Sequence, residues 1–147
     1  MIYTDKTKKA MILCYEAHKG QVDKTGVPYV FHPFHVAEQM TDEVTTLVAL
    51  LHDVVEDTDY TLEDLAAEGF GKDILEAVSL MTHEDDVPYL DYVAKLKDNP
   101  IARAVKLADL AHNSDLSRIG KIDDETRKRL VKYKKAIALL EGSVADD

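Results

Sequence analysis

The sequence holds a single cysteine, Cys14. It cannot form an intramolecular disulfide, so the fold has no covalent staple of its own. Cys14 sits in the apolar stretch Met11-Ile12-Leu13-Cys14-Tyr15, which marks it as a small core residue rather than a nucleophile. Six glycines and four prolines leave no linker, and no repeat or low-complexity segment is present. No apolar run approaches the roughly 18 residues that a membrane span needs, and the start MIYTDKTKK lacks signal-peptide architecture. A chain with no membrane segment, in a reducing cytoplasmic setting, is the expectation. Positive charge is also short: 18 basic residues stand against 28 acidic ones, a net charge of −10. Such a surface repels a nucleic-acid backbone, so DNA or RNA polymer is not an expected partner. A small anionic ligand stays open if a bound metal supplies local positive charge.

What is present points to helices. Hydrophobic residues make up 46% of the 147 residues, enough for a core in one domain of common size. Leu130, Tyr133, Ile137 and Leu140 recur at steps of three, four and three, and Gly142 offers a stop. Ala10, Leu13 and Ala17 give a similar stripe, ended by Gly20. Pro33 suits a first helical turn, Thr61-Leu62-Glu63-Asp64 fits a capping box for a short helix closing near Gly69, and Asn99-Pro100 gives an N-cap with an N1 proline. Strand signals are poor, with Val27-Pro28-Tyr29-Val30 extended at most. The prediction is an all-α single domain over 1–147, with roughly six to eight helices, a core over about 5–141 and a disordered tail at 142–147.

Several polar residues do not belong on a core face. The run Leu47-Val48-Ala49-Leu50-Leu51 leads straight into His52-Asp53, and Glu56-Asp57 follow after two more apolar residues. On a helix, His52 and Glu56 share a face, as do Asp53 and Asp57. Asp109 likewise sits inside the apolar run Val105 to Ala111, with Lys106, His112 and Asn113 three or four residues away. Acidic helix ends are ordinary, which suffices for Glu56 and Asp57 alone. Buried carboxylates are another matter, because each costs several kcal/mol unless paired or metal-bound. A shared divalent metal satisfies His52, Asp53 and Asp109 together.

Each of the six histidines has a structural reading beside that one. His18 ends the first helix, where a cation complements the dipole. His83 lies in the acidic loop His83-Glu84-Asp85-Asp86 and reads as exposed. His35 is one turn past His32 and faces either way; His112 is either a neighbour of the site or a core residue. His32 is held in place by the turn before Pro33.

Taken in order, the motifs resemble a known family. They run Gly20-Gln21, then Gly26-Val27-Pro28-Tyr29-Val30-Phe31-His32-Pro33, then Ala49 to Thr58, then Phe70-Gly71, then Val105-Lys106-Leu107-Ala108-Asp109, then His112-Asn113. An isolated His, a His-Asp pair and a distant Asp resemble the HD metal-dependent phosphohydrolases. The full string resembles the hydrolase domain of the Rel/Spo homologues, which remove pyrophosphate from ppGpp and pppGpp. The resemblance covers about residues 5–140 and implies an all-α bundle holding one Mn²⁺. It assigns the metal to His32, His52, Asp53 and Asp109, and the catalytic acidic pair to Glu56 and Asp57. It gives Asn113 and Lys106 a part in holding the nucleotide or ordering the site. Fe²⁺ and Zn²⁺ suit the same ligands; only the resemblance selects manganese. Hydrolysis by an activated water needs no seryl or cysteinyl nucleophile, and none is evident.

Two features depart from that pattern. Alarmone hydrolases carry a basic residue in the loop that here reads Val22-Asp23-Lys24-Thr25-Gly26. Asp23 takes its place, and Lys24 substitutes only by a shift of one. The acidic segment from His83 to Asn99 is compact, whereas its counterpart is longer and shapes the nucleotide pocket. These departures motivate a second reading, an HD phosphohydrolase acting on another nucleotide or a phosphorylated dinucleotide cofactor. A non-catalytic nucleotide sensor is a third, against which the retention of Glu56 and Asp57 argues. Oligomeric state and regulation leave no mark in the sequence.

Overall fold

The computed structural model of the chain describes residues 1–142. Among them are eight α-helices and no strand: α1 (Asp5–Ala17), α2 (Phe31–Glu38), α3 (Glu43–Asp57), α4 (Leu62–Ala67), α5 (Lys72–Met81), α6 (Tyr89–Leu96), α7 (Pro100–Asn113) and α8 (Asp124–Glu141). A 3₁₀ turn, Leu116–Arg118, links the last two.

The helix starts follow local chemistry. Thr4 and Thr61 close capping boxes at α1 and α4. Asp42, Asn99 and Asp123 cap α3, α7 and α8 through their side chains, and each satisfies backbone N–H groups that the first turn leaves free. Gly142 ends α8 in the left-handed region, at φ 71°, which a side chain would strain. The expected disorder of the tail falls on 143–147, outside the described residues.

α3 is the centre. Every residue from Thr45 to Val54 is buried. The helix packs against α1, α2, α5 and α7, so it is covered on all sides and its apolar run needs no polar face. Burying each of Leu47, Leu50 and Leu51 contributes about 1.5–3 kcal/mol. α2 also packs on α7, which closes a three-helix cluster of α2, α3 and α7. Cys14 is fully buried, and burial pushes its thiol far above the ordinary range, so it acts as core. α6 and α7 pack on α8. The compact segment from His83 to Asn99 thus carries a helix, with Tyr92, Val93 and Leu96 turned into the core.

One histidine sits differently from the expectation, and the fold adds surroundings to a second. His83 is half-buried rather than exposed: its Nε2 lies 2.6 Å from the Val87 carbonyl and its ring stacks on Tyr92. His18 caps the C-terminal end of α1, as expected, and is buried there. It is 1% exposed, with Nδ1 2.8 Å from Gln21 Oε1, because the following loop folds back over it. That loop makes one antiparallel bridge, between Val22 and Pro28. The Asp23 carboxylate holds it by accepting from the Thr25 N–H and hydroxyl (2.8 and 2.7 Å) and from the Val27 N–H (3.1 Å). The closed loop delivers Tyr29 to the end of α3.

Candidate functional site

Three helices bring four buried side chains to one point. α2 contributes His32, α3 contributes His52 and Asp53, and α7 contributes Asp109. One ligand atom from each lies within 4.8 Å of all the others. His32 Nε2 is 2.7 Å from Asp109 Oδ1 and 3.7 Å from Asp53 Oδ2. His52 Nε2 is 3.1 Å from Asp53 Oδ1 and 3.9 Å from Asp109 Oδ1.

The surrounding atoms aim these groups inward. His52 Nδ1 lies 2.9 Å from the Ala49 carbonyl, so it carries the hydrogen and leaves Nε2 facing the cluster. That Nε2 is buried and makes no hydrogen bond of acceptable geometry. An orphaned buried nitrogen beside two carboxylates fits a divalent cation, and two nitrogens with two oxygens suit Mn²⁺, Fe²⁺ or Zn²⁺. Tyr29 donates to Asp53 Oδ2 at 2.8 Å. Lys106 Nζ donates to Asp109 Oδ2 at 3.0 Å, and Asn113 Nδ2 donates to Asp109 Oδ1 at 3.3 Å. His32 Nδ1 lies 2.7 Å from His112 Nδ1.

The electrostatics follow from burial and pairing. Burial pushes the Asp109 carboxyl up, but Lys106 and the two imidazoles outweigh it and hold it well below the usual range. Burial pulls the Lys106 ammonium down, but Asp109 outweighs that and holds it well above the usual range. For His52, burial pulls down while Asp53 and Asp109 lift it to about 9. His112 is pushed down to about 4, first by burial and then by Arg118 and the other imidazoles, so it is neutral. Glu56 and Asp57 lie one turn beyond the cluster, on the solvent side. Desolvation against the protein, then the charge of Asp53, raises both above ordinary carboxyl values. Carboxyls raised in this way, one turn from the cluster, are suited to exchanging a proton with a water.

Beside the cluster opens a cleft of about 1160 Å³. His32, Tyr29 and Asn113 line it, and its walls carry Lys24, Arg118, Lys121 and Arg129 beside Asp23, Asp123 and Glu125. In a chain of net charge −10, this lining carries four basic side chains against three acidic ones.

The model of the HD domain family matches residues 10–115. The chain belongs to the HD domain family. It is 31% identical over 143 residues to the bifunctional (p)ppGpp synthase/hydrolase SpoT of Escherichia coli (strain K12), covering 86% of this chain and 20% of that protein. It is 38% identical over 125 residues to a GTP pyrophosphokinase of Streptomyces coelicolor, covering 76% of this chain and 14% of that one. The chain therefore spans about a fifth or less of the length of these curated relatives. A solved structure titled "A metazoan ortholog of SpoT hydrolyzes ppGpp and plays a role in starvation responses" superimposes with a TM-score of 0.74 at 28% identity, covering 97% of this chain and 89% of that one.

Within this HD domain, the sequence-predicted residues fall into four groups, one of them Glu56 and Asp57 at the end of α3, one turn beyond the cluster. His32, His52, Asp53 and Asp109 converge. Lys106 and Asn113 converge with them, on Asp109; Lys106 lies under the rings of Tyr92 and Tyr89, at 5.3 and 5.8 Å. Lys24 stands apart, exposed on the cleft wall. Sequence reasoning passed over Arg118, Arg129 and Tyr133, all of which line the cleft. Tyr133 was legible only as part of an apolar stripe, because an amphipathic ring packs on the core and lines the cleft at once. Arg118 and Arg129 sit among ordinary surface charges, and no spacing distinguishes them.

Proposed function

We propose that this HD domain is a divalent-metal phosphohydrolase that removes the 3′ pyrophosphate from ppGpp and pppGpp, yielding GDP and GTP. The observation that carries the reading is the burial of His32, His52, Asp53 and Asp109 around one point, with Glu56 and Asp57 one turn away on the open side. The relatives named for (p)ppGpp hydrolysis support the substrate. Mn²⁺, one per chain, is the proposed ion; bound there, it would supply a lowered pKa to a coordinated water and charge neutralisation to the phosphoryl group. His32, His52, Asp53 and Asp109 would hold it. Tyr29, Lys106 and Asn113 orient the two carboxylates through their hydrogen bonds. Glu56 and Asp57 position the attacking water and take its proton, a role their raised pKa values suit. Lys24, Arg118, Lys121 and Arg129 offset the negative charge of the nucleotide phosphates. A single HD domain acting on its nucleotide in the cytoplasm is part of this proposal; no described helix is long and apolar enough to cross a membrane.

The alternative substrate, another nucleotide or a phosphorylated dinucleotide, draws on Asp23. Its carboxylate is engaged within its own loop and leaves no cation at that position. Incubating the Mn²⁺-loaded protein with a nucleotide panel decides between them. Pyrophosphate release from ppGpp is the expected result. Turnover of another nucleotide with none of ppGpp sinks the alarmone reading and keeps the enzyme class. Tight ppGpp binding without any turnover favours a sensor.

A further inference from the structure

We infer that His112 is a positioning residue for the metal site, accepting the Nδ1–H of His32 and so fixing the ring orientation and tautomer in which His32 Nε2 faces the ion. The inference rests on reading the four-residue cluster as a metal site. Its basis is the geometry of two rings. The Nδ1 atoms of His32 and His112 are 2.7 Å apart, and the ring planes differ by only 7°. The centroids are nevertheless 5.0 Å apart, which is what two imidazoles reach when their nitrogens face each other within one plane. A true face-to-face stack lies closer, as His35 and His112 do at 3.9 Å. The contact is therefore an in-plane hydrogen bond.

One hydrogen can occupy that bond, and the other face of His32 decides its owner. Nε2 of His32 points at Asp109 and Asp53 and must be bare to ligate a cation. Its hydrogen then sits on Nδ1, and His112 accepts it. His112 must carry its own hydrogen on Nε2. His35 stacks against the face of the His112 ring, and Arg118 Nη1 donates to the His112 backbone carbonyl at 2.7 Å. Metal-ligating histidines ordinarily donate their other N–H to a carboxylate or carbonyl. Here the acceptor is a second imidazole, which brings no negative charge to a cluster that already holds two carboxylates.

The test compares Mn²⁺ affinity by titration of the purified chain, without substrate, in wild type, His112→Phe and His112→Asn. Phenylalanine keeps the stacked ring and removes the acceptor; asparagine places an oxygen close to the lost Nδ1. Loss of such a supporting partner typically weakens metal binding by about 10–100-fold. His112→Phe is expected to show that loss, with His112→Asn recovering most of it. Equal affinity for wild type and His112→Phe overturns the inference while leaving the metal reading intact, as does a His112→Asn no tighter than His112→Phe. A wild type that binds no divalent ion overturns both. Should His112→Phe not fold, nitrogen-15 spectra of the Zn²⁺-loaded wild type give the answer directly. Hydrogen on Nδ1 of His32 and Nε2 of His112 is expected, and hydrogen on Nδ1 of His112 overturns the assignment.

Discussion

Asp109→Asn keeps the side chain's shape and removes one charge, so it isolates how the cluster is held before any metal binds. In the metal-free fold, the carboxylates of Asp53 and Asp109 face the ammonium of Lys106 and the imidazolium of His52, whose pKa is lifted to about 9. The charges balance. The substitution leaves Lys106 buried under two tyrosine rings with no anion at 3.0 Å. Breaking a buried pair in this way costs about 3–5 kcal/mol, against a total stability of about 5–15 kcal/mol. In a chain of this length each kcal/mol moves Tm by about 2–4 °C, so the variant should melt roughly 6–20 °C below wild type in excess chelator. Adding Lys106→Met removes the stranded charge and should restore more than half of the loss, a coupling that distant sites do not show. Metal binding should not return in the double variant, because a ligand is still missing. Thermal and urea unfolding followed by circular dichroism, with chelator and then with Mn²⁺, reads all of this. A single variant that melts within about 2 °C of wild type in chelator, or a double variant that loses the sum of the two singles, would refute the charge-balance reasoning.

Glu56→Gln should lower turnover by about 10²–10⁴-fold with metal content unchanged, checked by kinetics and metal analysis of one sample. The same variant should gain stability at neutral pH in chelator. The folded pKa of Glu56 is raised, so the folded chain binds more protons than the unfolded chain between the two values, and stability falls as pH rises through that window. The gain should vanish at pH values below the ordinary glutamate range, and a gain that persists there counts against the assignment. Metal affinity should rise by roughly tenfold per pH unit between pH 6 and 8, because binding displaces the proton that His52 holds up to about 9; a flat isothermal-titration profile contradicts this. Leu50→Ala, at the fully buried centre of α3, should cost about 2–5 kcal/mol in urea unfolding without changing the number of metal ions bound.

The helices were legible because their signals are local. Thr61, Asn99 and Gly142 act on the backbone within one turn, and each sits where the sequence placed it. The cluster was legible in part because His52, Asp53 and Asp109 interrupt apolar runs, a conflict between neighbours that demands an explanation. His18 ends the first helix as expected, but its burial was not legible, because it comes from a loop folding back, which no helical periodicity records. His83 was misread because the acidic residues beside it say nothing of Tyr92 beneath its ring. The His32–His112 contact spans 80 residues, and the cations of the cleft are gathered from the loop of Lys24, the 3₁₀ turn and α8. Such groupings exist only once the chain has closed.

The placement of α3 divides the molecule into two evolutionary regimes. His52 and Asp53 are carried by the helix that every neighbour leans on, so a change there is filtered by foldability before it is filtered by activity. The cleft walls around Lys24, Arg118 and Lys121 belong to connections whose side chains bury little. Substitutions on those walls can accumulate at small cost in stability, so what enters the cleft can change while the buried His/Asp cluster stays fixed. Asp23, in a loop that closes on its own hydrogen bonds, is a position where such a substitution need not disturb the core.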